Sequence, residues 1–284
     1  MVDQTNPFKK DRYGGIEIQD MSLLPETEAD FEQALDKWLV EWEEQGVRSV
    51  QVQFCPPKCH LMNVAFKKGF FFHHAHQKKG YVLMILWMDK KVPCRMPPYA
   101  DHYIGIGGAV LNQIGEILLI KENRSLDQRR WKLPGGFMNP QERLADAVVR
   151  EVKEETGVKA EFCGLVGLRE TLNYKYNASD FYFCAVLVCD TTQGVAIEDT
   201  QEVQTAAWVS LDKITDSNSE TDPPEIFMFQ TPFEYVRRIK VALAQRPEGK
   251  DLREFLEETF WKEHYNPVLQ GMKQDKFNFY FPKM

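Results

Sequence analysis

No apolar run in the 284 residues approaches the roughly 20 positions a membrane-spanning helix requires, so segments such as Tyr81 to Met88 (YVLMILWM) read as buried strands. Cysteine is sparse: Cys55, Cys59, Cys94, Cys163, Cys184 and Cys189 are scattered along a large chain, which excludes a disulfide-stapled miniprotein and suits reduced thiols. Positive charge is not in excess, with 35 Lys and Arg against 42 Asp and Glu and a net charge of −7. That balance argues against nucleic acid or an anionic membrane as a partner held by broad electrostatics. The opening residues, MVDQTNPFKKDRYGG, hold neither an apolar signal core nor an Arg-rich presequence, so the expected location is cytoplasmic or nucleocytoplasmic. What is present, 43% hydrophobic and 12% aromatic residues, is enough for ordinary cores.

Two regions differ in pattern. Residues 27–45 place Phe31, Leu35, Leu39 and Trp42 at helical spacing, and Gly46 follows as a stop. An alternating strand (VRSVQVQF), a second helix (KCHLMNVAFKKG) and two strands (FFFHHAH, YVLMILWM) come next, a β-α-β-β order that predicts a small α/β domain. Three prolines between Val92 and Tyr99 mark a linker, giving domains 1–95 and 96–284. Beyond it, strands HYIGIGGAVL and EILLIKE precede Trp131-Lys132-Leu133-Pro134-Gly135-Gly136 and a helix expected from about Pro140 to Thr156, capped by Asn139 and Glu142. Further strands (FYFCAVLVCD, AAWVSL), two helical stretches and a closing aromatic run, Phe277 to Phe281, complete the second domain as a helical, aromatic extension.

An ordinary surface helix turns its acids away from its apolar stripe. At 100° per residue, with Glu151 at zero, Leu144 falls near about +20°, Ala147 about −40° and Val148 about +60°, while Glu154 falls near about −60° and Glu155 about +40°. Three carboxylates therefore share the apolar stripe at the helix's C-terminal end, where mutual repulsion and the helix dipole both disfavour them. Such a set calls for a compensating divalent cation, and hard oxygen donors suit Mg²⁺ or Mn²⁺. Arg150 stands beside the trio and is in reach of Glu142 or of one of the acids.

The spacing G-x5-E-x7-R-E-V-x-E-E-x-G-V, from Gly136 through Glu142, Arg150, Glu151, Glu154, Glu155 and Gly157 to Val158, resembles the Nudix box at each defining position. The flanking segments YADHYIGIGGAVL and EFCGLVGLRETLNYKYNASDFYFCAVL, and the domain before Tyr103, resemble the animal Nudix-type motif 6 proteins and the plant ADP-ribose/NADH pyrophosphatases. The resemblance implies an α/β/α Nudix sandwich with a mixed sheet, preceded by a pre-Nudix domain of acetyltransferase-like fold. It implies divalent-metal hydrolysis of a nucleoside diphosphate linked to another moiety, with ADP-ribose or NADH favoured and AMP released. Glu151, Glu154 and Glu155 would then be metal ligands, and Arg150 and Glu142 their supports. The first domain has no Arg/Gln-x-x-Gly-x-Gly/Ala loop for acetyl-CoA, so packing or homodimer formation is its expected role. Coenzyme A derivatives, dinucleoside polyphosphates and capped RNA stay open as substrates, as does a Nudix fold used as a binding or regulatory module.

Outside the box, Gly135 and Gly136 let the backbone approach a diphosphate. Glu202, with Glu198 and Asp199 in the same loop, is a candidate base or further ligand. Arg169 is a candidate phosphate contact, and Tyr174 and Tyr176 in LNYKYNASD are candidates for stacking on a base. Gly105 to Gly108 opens no helix, so it reads as a closely packed strand and not as a phosphate loop. Cys55, Cys59 and His60, with His73, His74 and His76, have loose spacing for zinc and read as core and loop residues.

Overall fold

Residues 8–189 and 194–260 are described in the computed structural model, together with the backbone of the short strands Lys262–His264 and Phe279–Phe281. Residues 1–7 and the start of the aromatic run, Phe277 and Asn278, lie outside the described residues. The chain divides into two units, Met1–Ala100 and Asp101–Met284.

The first unit contains a five-stranded sheet in the order β1-β2-β3-β5-β4. Its strands are β1 (Lys9–Lys10), β2 (Ile16–Ile18), β3 (Ser49–Phe54), β4 (Phe71–His76) and β5 (Tyr81–Trp87). The predicted helix is α1 (Glu28–Glu44), capped by Thr27, whose side chain accepts the Asp30 N–H at 3.1 Å. It buries Phe31, Leu35 and Trp42 against the sheet's Val50, Val52 and Phe54. Two details depart from expectation. The β1–β2 hairpin precedes α1, its strands too short to carry a period-2 signal. The helix expected from Lys58 is split, with Pro56–Leu61 as a 3-10 turn opened by two prolines and only Met62–Lys67 as α2.

The second unit holds a mixed sheet in the order β11-β7-β6-β10-β9, with β8 paired to β6. These strands are β6 (His102–Asn112), β7 (Glu116–Glu122), β8 (Gly135–Phe137), β9 (Glu161–Thr171), β10 (Ser179–Cys189) and β11 (Val203–Ser210). β6 and β10 run parallel and the other neighbours antiparallel. Both central strands are apolar on both faces. Ile106, Val110, Ala185 and Leu187 pack with Ala147, Val148 and Val152 of α3 (Leu144–Thr156). The alternate residues Ala109, Leu111, Cys184 and Val186 pack with Val236 and Ile239 of α4 (Gln230–Leu243) and Phe255 and Leu256 of α5 (Leu252–Thr259). Helices on both faces of a mixed sheet make the α/β/α sandwich. A backbone hairpin of β12 (Lys262–His264) and β13 (Phe279–Phe281) closes the element order.

Candidate active site

The site is built where β8 meets the end of α3. A Cβ on Gly135 (φ 151°) would stand 2.1 Å from the Ile106 carbonyl oxygen, and one on Gly136 would stand 2.8 Å from a Glu151 carboxylate oxygen. Only glycine lets β8 lie this close to β6 and to the acids of α3. The Gly135 N–H donates to Glu155 Oε2 at 2.6 Å, so the strand and the helix are joined by one charge-assisted bond.

The helix begins at Leu144 and not near Pro140. Gln141 has φ 67°, which breaks helical continuity, and Glu142 is drawn into other bonds. It accepts the Asn139 N–H at 2.8 Å and takes a two-point contact from Arg150, 2.7 Å from Nε and 2.9 Å from Nη2. Gly157, at φ 71°, stops the helix as expected, its N–H donating to the Lys153 carbonyl.

Arg150 is shared. Its Nη1 donates to Glu151 at 2.8 Å and to Glu154 at 3.0 Å, and Nη2 reaches the Phe137 carbonyl at 3.3 Å. The Arg150 guanidinium holds Glu142 down at about 2. Burial does the opposite to its neighbours: it raises Glu151, and it pushes Glu155 up to about 7 even though Lys132 stands 4.0 Å away. Glu154 is half-exposed at 53% of its side-chain surface. Among the described residues no three acids, imidazoles or thiols converge on one point, because Glu151 and Glu154 face Arg150 while Glu155 faces Gly135.

A cleft of about 830 Å³ lies over these groups. Gly135, Gly136, Arg150, Glu151 and Glu155 line it, and so do Arg169, Tyr174 and Glu202 from outside the box. Arg169 donates to Asp180 at 2.8 Å and to Thr231 Oγ1 at 3.2 Å, and its Nε is buried without a hydrogen-bond partner among the described residues. The structure separates the two tyrosines: Tyr174 borders the cleft, whereas Tyr176 sits in the hairpin turn at φ 52° and is 93% exposed, outside the cleft lining. Asp199 accepts the N–H groups of Gln201 and Glu202 and so shapes the loop that brings Glu202 to the rim. Lys132 escaped sequence reasoning although it lies three residues before Gly135; it pairs with Glu122 and faces the cleft. Phe229, also in the lining, is 93 residues from the motif's Gly136 by number, and no local signal ties it there.

The NUDIX domain model matches residues 101–228, and the Nudix hydrolase domain model matches residues 7–88. Nudix hydrolase 2 of Arabidopsis thaliana is 34% identical over 205 residues, covering 72% of this chain and 71% of that protein. The chain belongs to the Nudix hydrolase family. Nudix hydrolase 8 of Arabidopsis is 36% identical over 203 residues, 71% of this chain and 54% of that protein. The human protein Nucleoside diphosphate-linked moiety X motif 6 is 32% identical over 177 residues, 61% of this chain and 55% of its own. This Nudix chain thus spans about half the length of the last two relatives. No helix among its described residues is long and apolar enough to cross a membrane.

Proposed function

We propose that the chain hydrolyses the diphosphate bridge of a nucleoside diphosphate linked to another moiety, ADP-ribose or NADH, with Mg²⁺ or Mn²⁺ bound at the end of α3. The observation that carries this reading is the pair Glu151 and Glu155, one partly buried and one buried, which line the cleft beside β8 and lack full cationic compensation. The donor set fits a hard divalent cation: three carboxylates lie within just over one turn of helix, with Glu154 raising the cost of ionising Glu151 and Glu151 that of Glu155. Glu151, Glu154 and Glu155 would hold the ion, in competition with the Arg150 guanidinium. When bound, the ion supplies charge neutralisation on the phosphates and a water acidic enough to attack phosphorus at neutral pH.

The remaining work falls to the chain. Glu142 fixes Arg150 by its two-point contact, and Arg150 in turn holds Glu151 and Glu154 in one orientation. β8 offers the diphosphate a close backbone approach. Arg169, anchored by Asp180, directs its guanidinium at a phosphate, and Glu202 at the rim takes the proton of the attacking water. A panel of nucleoside diphosphate compounds incubated with Mg²⁺ or Mn²⁺, with products separated by chromatography, tests the reading. AMP with ribose 5-phosphate or reduced nicotinamide mononucleotide is the expected outcome. Metal-independent turnover, or none across the panel, would overturn it.

A further inference from the structure

The acids of the site do not stand alike toward the cations around them. Glu142, Glu151 and Glu154 each take a direct bond from Arg150, at 2.7, 2.8 and 3.0 Å. Glu155 takes no such bond. Its Oε2 accepts the Gly135 N–H, and its Oε1 faces the Lys132 ammonium across 4.0 Å, too far for a hydrogen bond. The most deeply buried acid of α3, with 7% of its side chain exposed, thus keeps one oxygen clear of any direct cation contact.

The ammonium that could take that oxygen is bound elsewhere, to Glu122 Oε1. The backbone of both residues is fixed. Lys132 and Ile120 exchange N–H···O bonds of 2.9 Å, and on the other side of β7 Glu122 pairs with Val203 of β11. Paired and alternate residues share a face of a sheet, so Lys132, Ile120 and Glu122 lie with Leu118 on the face that packs against α3. Position therefore leaves the choice between Glu122 and Glu155 to the flexible lysine stem. Burial alone would favour Glu155, because a direct ion pair gains more at a buried carboxylate than at Glu122, which is 40% exposed.

We propose that Glu122 and Lys132 are positioning residues: Glu122 tethers the Lys132 ammonium off Glu155 and so leaves Glu155 Oε1 open to a divalent cation. The proposal rests on the reading of the α3 acids as cation ligands. Held at 4.0 Å, the ammonium eases the burial of an ionised Glu155 without occupying it. Bonded to Oε1, it would have to be displaced before an ion could bind there.

The test is Mn²⁺ titration by calorimetry of the full chain as wild type, Glu122→Gln, Lys132→Gln and the double variant, with crystal structures of metal-free wild type and Glu122→Gln. Gln keeps the shape of Glu122, so circular dichroism should stay unchanged. Glu122→Gln should weaken Mn²⁺ binding about tenfold, and Lys132→Gln should strengthen it by about three- to tenfold. Once Lys132 is gone the tether has nothing to hold, so the double variant should match Lys132→Gln within about twofold. The metal-free Glu122→Gln crystal should show the ammonium within about 3.2 Å of Glu155 Oε1.

Unchanged affinity in Glu122→Gln would reduce the pair to a bond that holds the fold. If Glu122→Gln weakened binding equally with and without Lys132, Glu122 would act on the ion by its own charge. Either result overturns the proposal, as does an ammonium that stays in place in the Glu122→Gln crystal. If the wild type binds no Mn²⁺, the reading of the α3 acids as ligands falls; movement of the ammonium in the crystal would still uphold the tether, and its absence would overturn that as well.

Discussion

The chain gathers metal-ligating residue types in two places, and the two are built differently. In the first unit His73 Nε2 meets the Pro97 carbonyl at 2.9 Å, its Nδ1 meets His74 Nδ1 at 2.7 Å, and His74 stacks on Tyr99 at 4.4 Å. Burial lowers His74, which favours the neutral ring that such a hydrogen bond needs. His60 meets the Glu26 carbonyl, Cys59 the Cys55 carbonyl, and His76 Nδ1 accepts the Lys79 N–H, so the imidazoles of this group are satisfied by their neighbours. At the end of α3 one guanidinium serves Glu142, Glu151 and Glu154, and burial pushes the fourth acid, Glu155, up to about 7. A cluster in electrostatic balance is architecture, and one left short of positive charge is where an external cation contributes most.

The strongest way to break that contrast is to remove one charge from the acids of α3. Glu151→Gln or Glu154→Gln should lower kcat by roughly 10²- to 10³-fold while circular dichroism stays unchanged, since the shape of the side chain is kept. Near-normal turnover at saturating Mg²⁺ would place these acids among ordinary surface pairs. Gly135→Ala should come next, because its Cβ would meet the Ile106 carbonyl at 2.1 Å. A loss of at least roughly 1–3 kcal/mol of stability in urea titration is expected, with activity falling beyond what unfolding explains.

Glu142→Gln sharpens the contrast by loosening Arg150 without touching the acids that would hold the ion. A decline of roughly 10- to 100-fold is expected, smaller than for Glu154→Gln. The same residue makes a pH prediction. Because its folded value lies near 2, below the usual glutamate value of 4.5, its stabilising contribution is complete above about 4.5 and is lost as pH falls toward 2. Acid unfolding of Glu142→Gln should therefore show a weaker dependence over that window than the wild type. The smallest effect belongs to the histidine group. His74→Phe keeps the stack on Tyr99 and loses one hydrogen bond, so kcat should stay within about twofold and stability within roughly 1.5 kcal/mol.

Much of this is legible in the sequence alone. Glu151, Glu154 and Glu155 could be placed on one helical stripe because the helix period is fixed, and β6 and β10 were legible because their apolar residues fill consecutive positions. The start of α3 was not legible: Asn139 and Pro140 form a good cap on paper, and the competing bonds of Glu142 to Arg150 and the positive φ of Gln141 exist only after folding. The rim escaped for a related reason. Phe229 reaches the cleft through a hydrogen bond to Trp131, a pairing across almost a hundred residues that no periodicity encodes. Tyr174 and Tyr176 looked equivalent in sequence and are separated by a turn that points one away from the cleft lining.

The central claim is that the acids at the end of α3 hold a divalent cation, and Mn²⁺ titration of the full chain by calorimetry tests it without any substrate. The wild type should show saturable binding that Glu151→Gln and Glu154→Gln each weaken at least tenfold and the double substitution removes, while His74→Phe leaves it intact. Absence of saturable binding in the wild type, or equal affinity in the wild type and the three variants of α3, would contradict it.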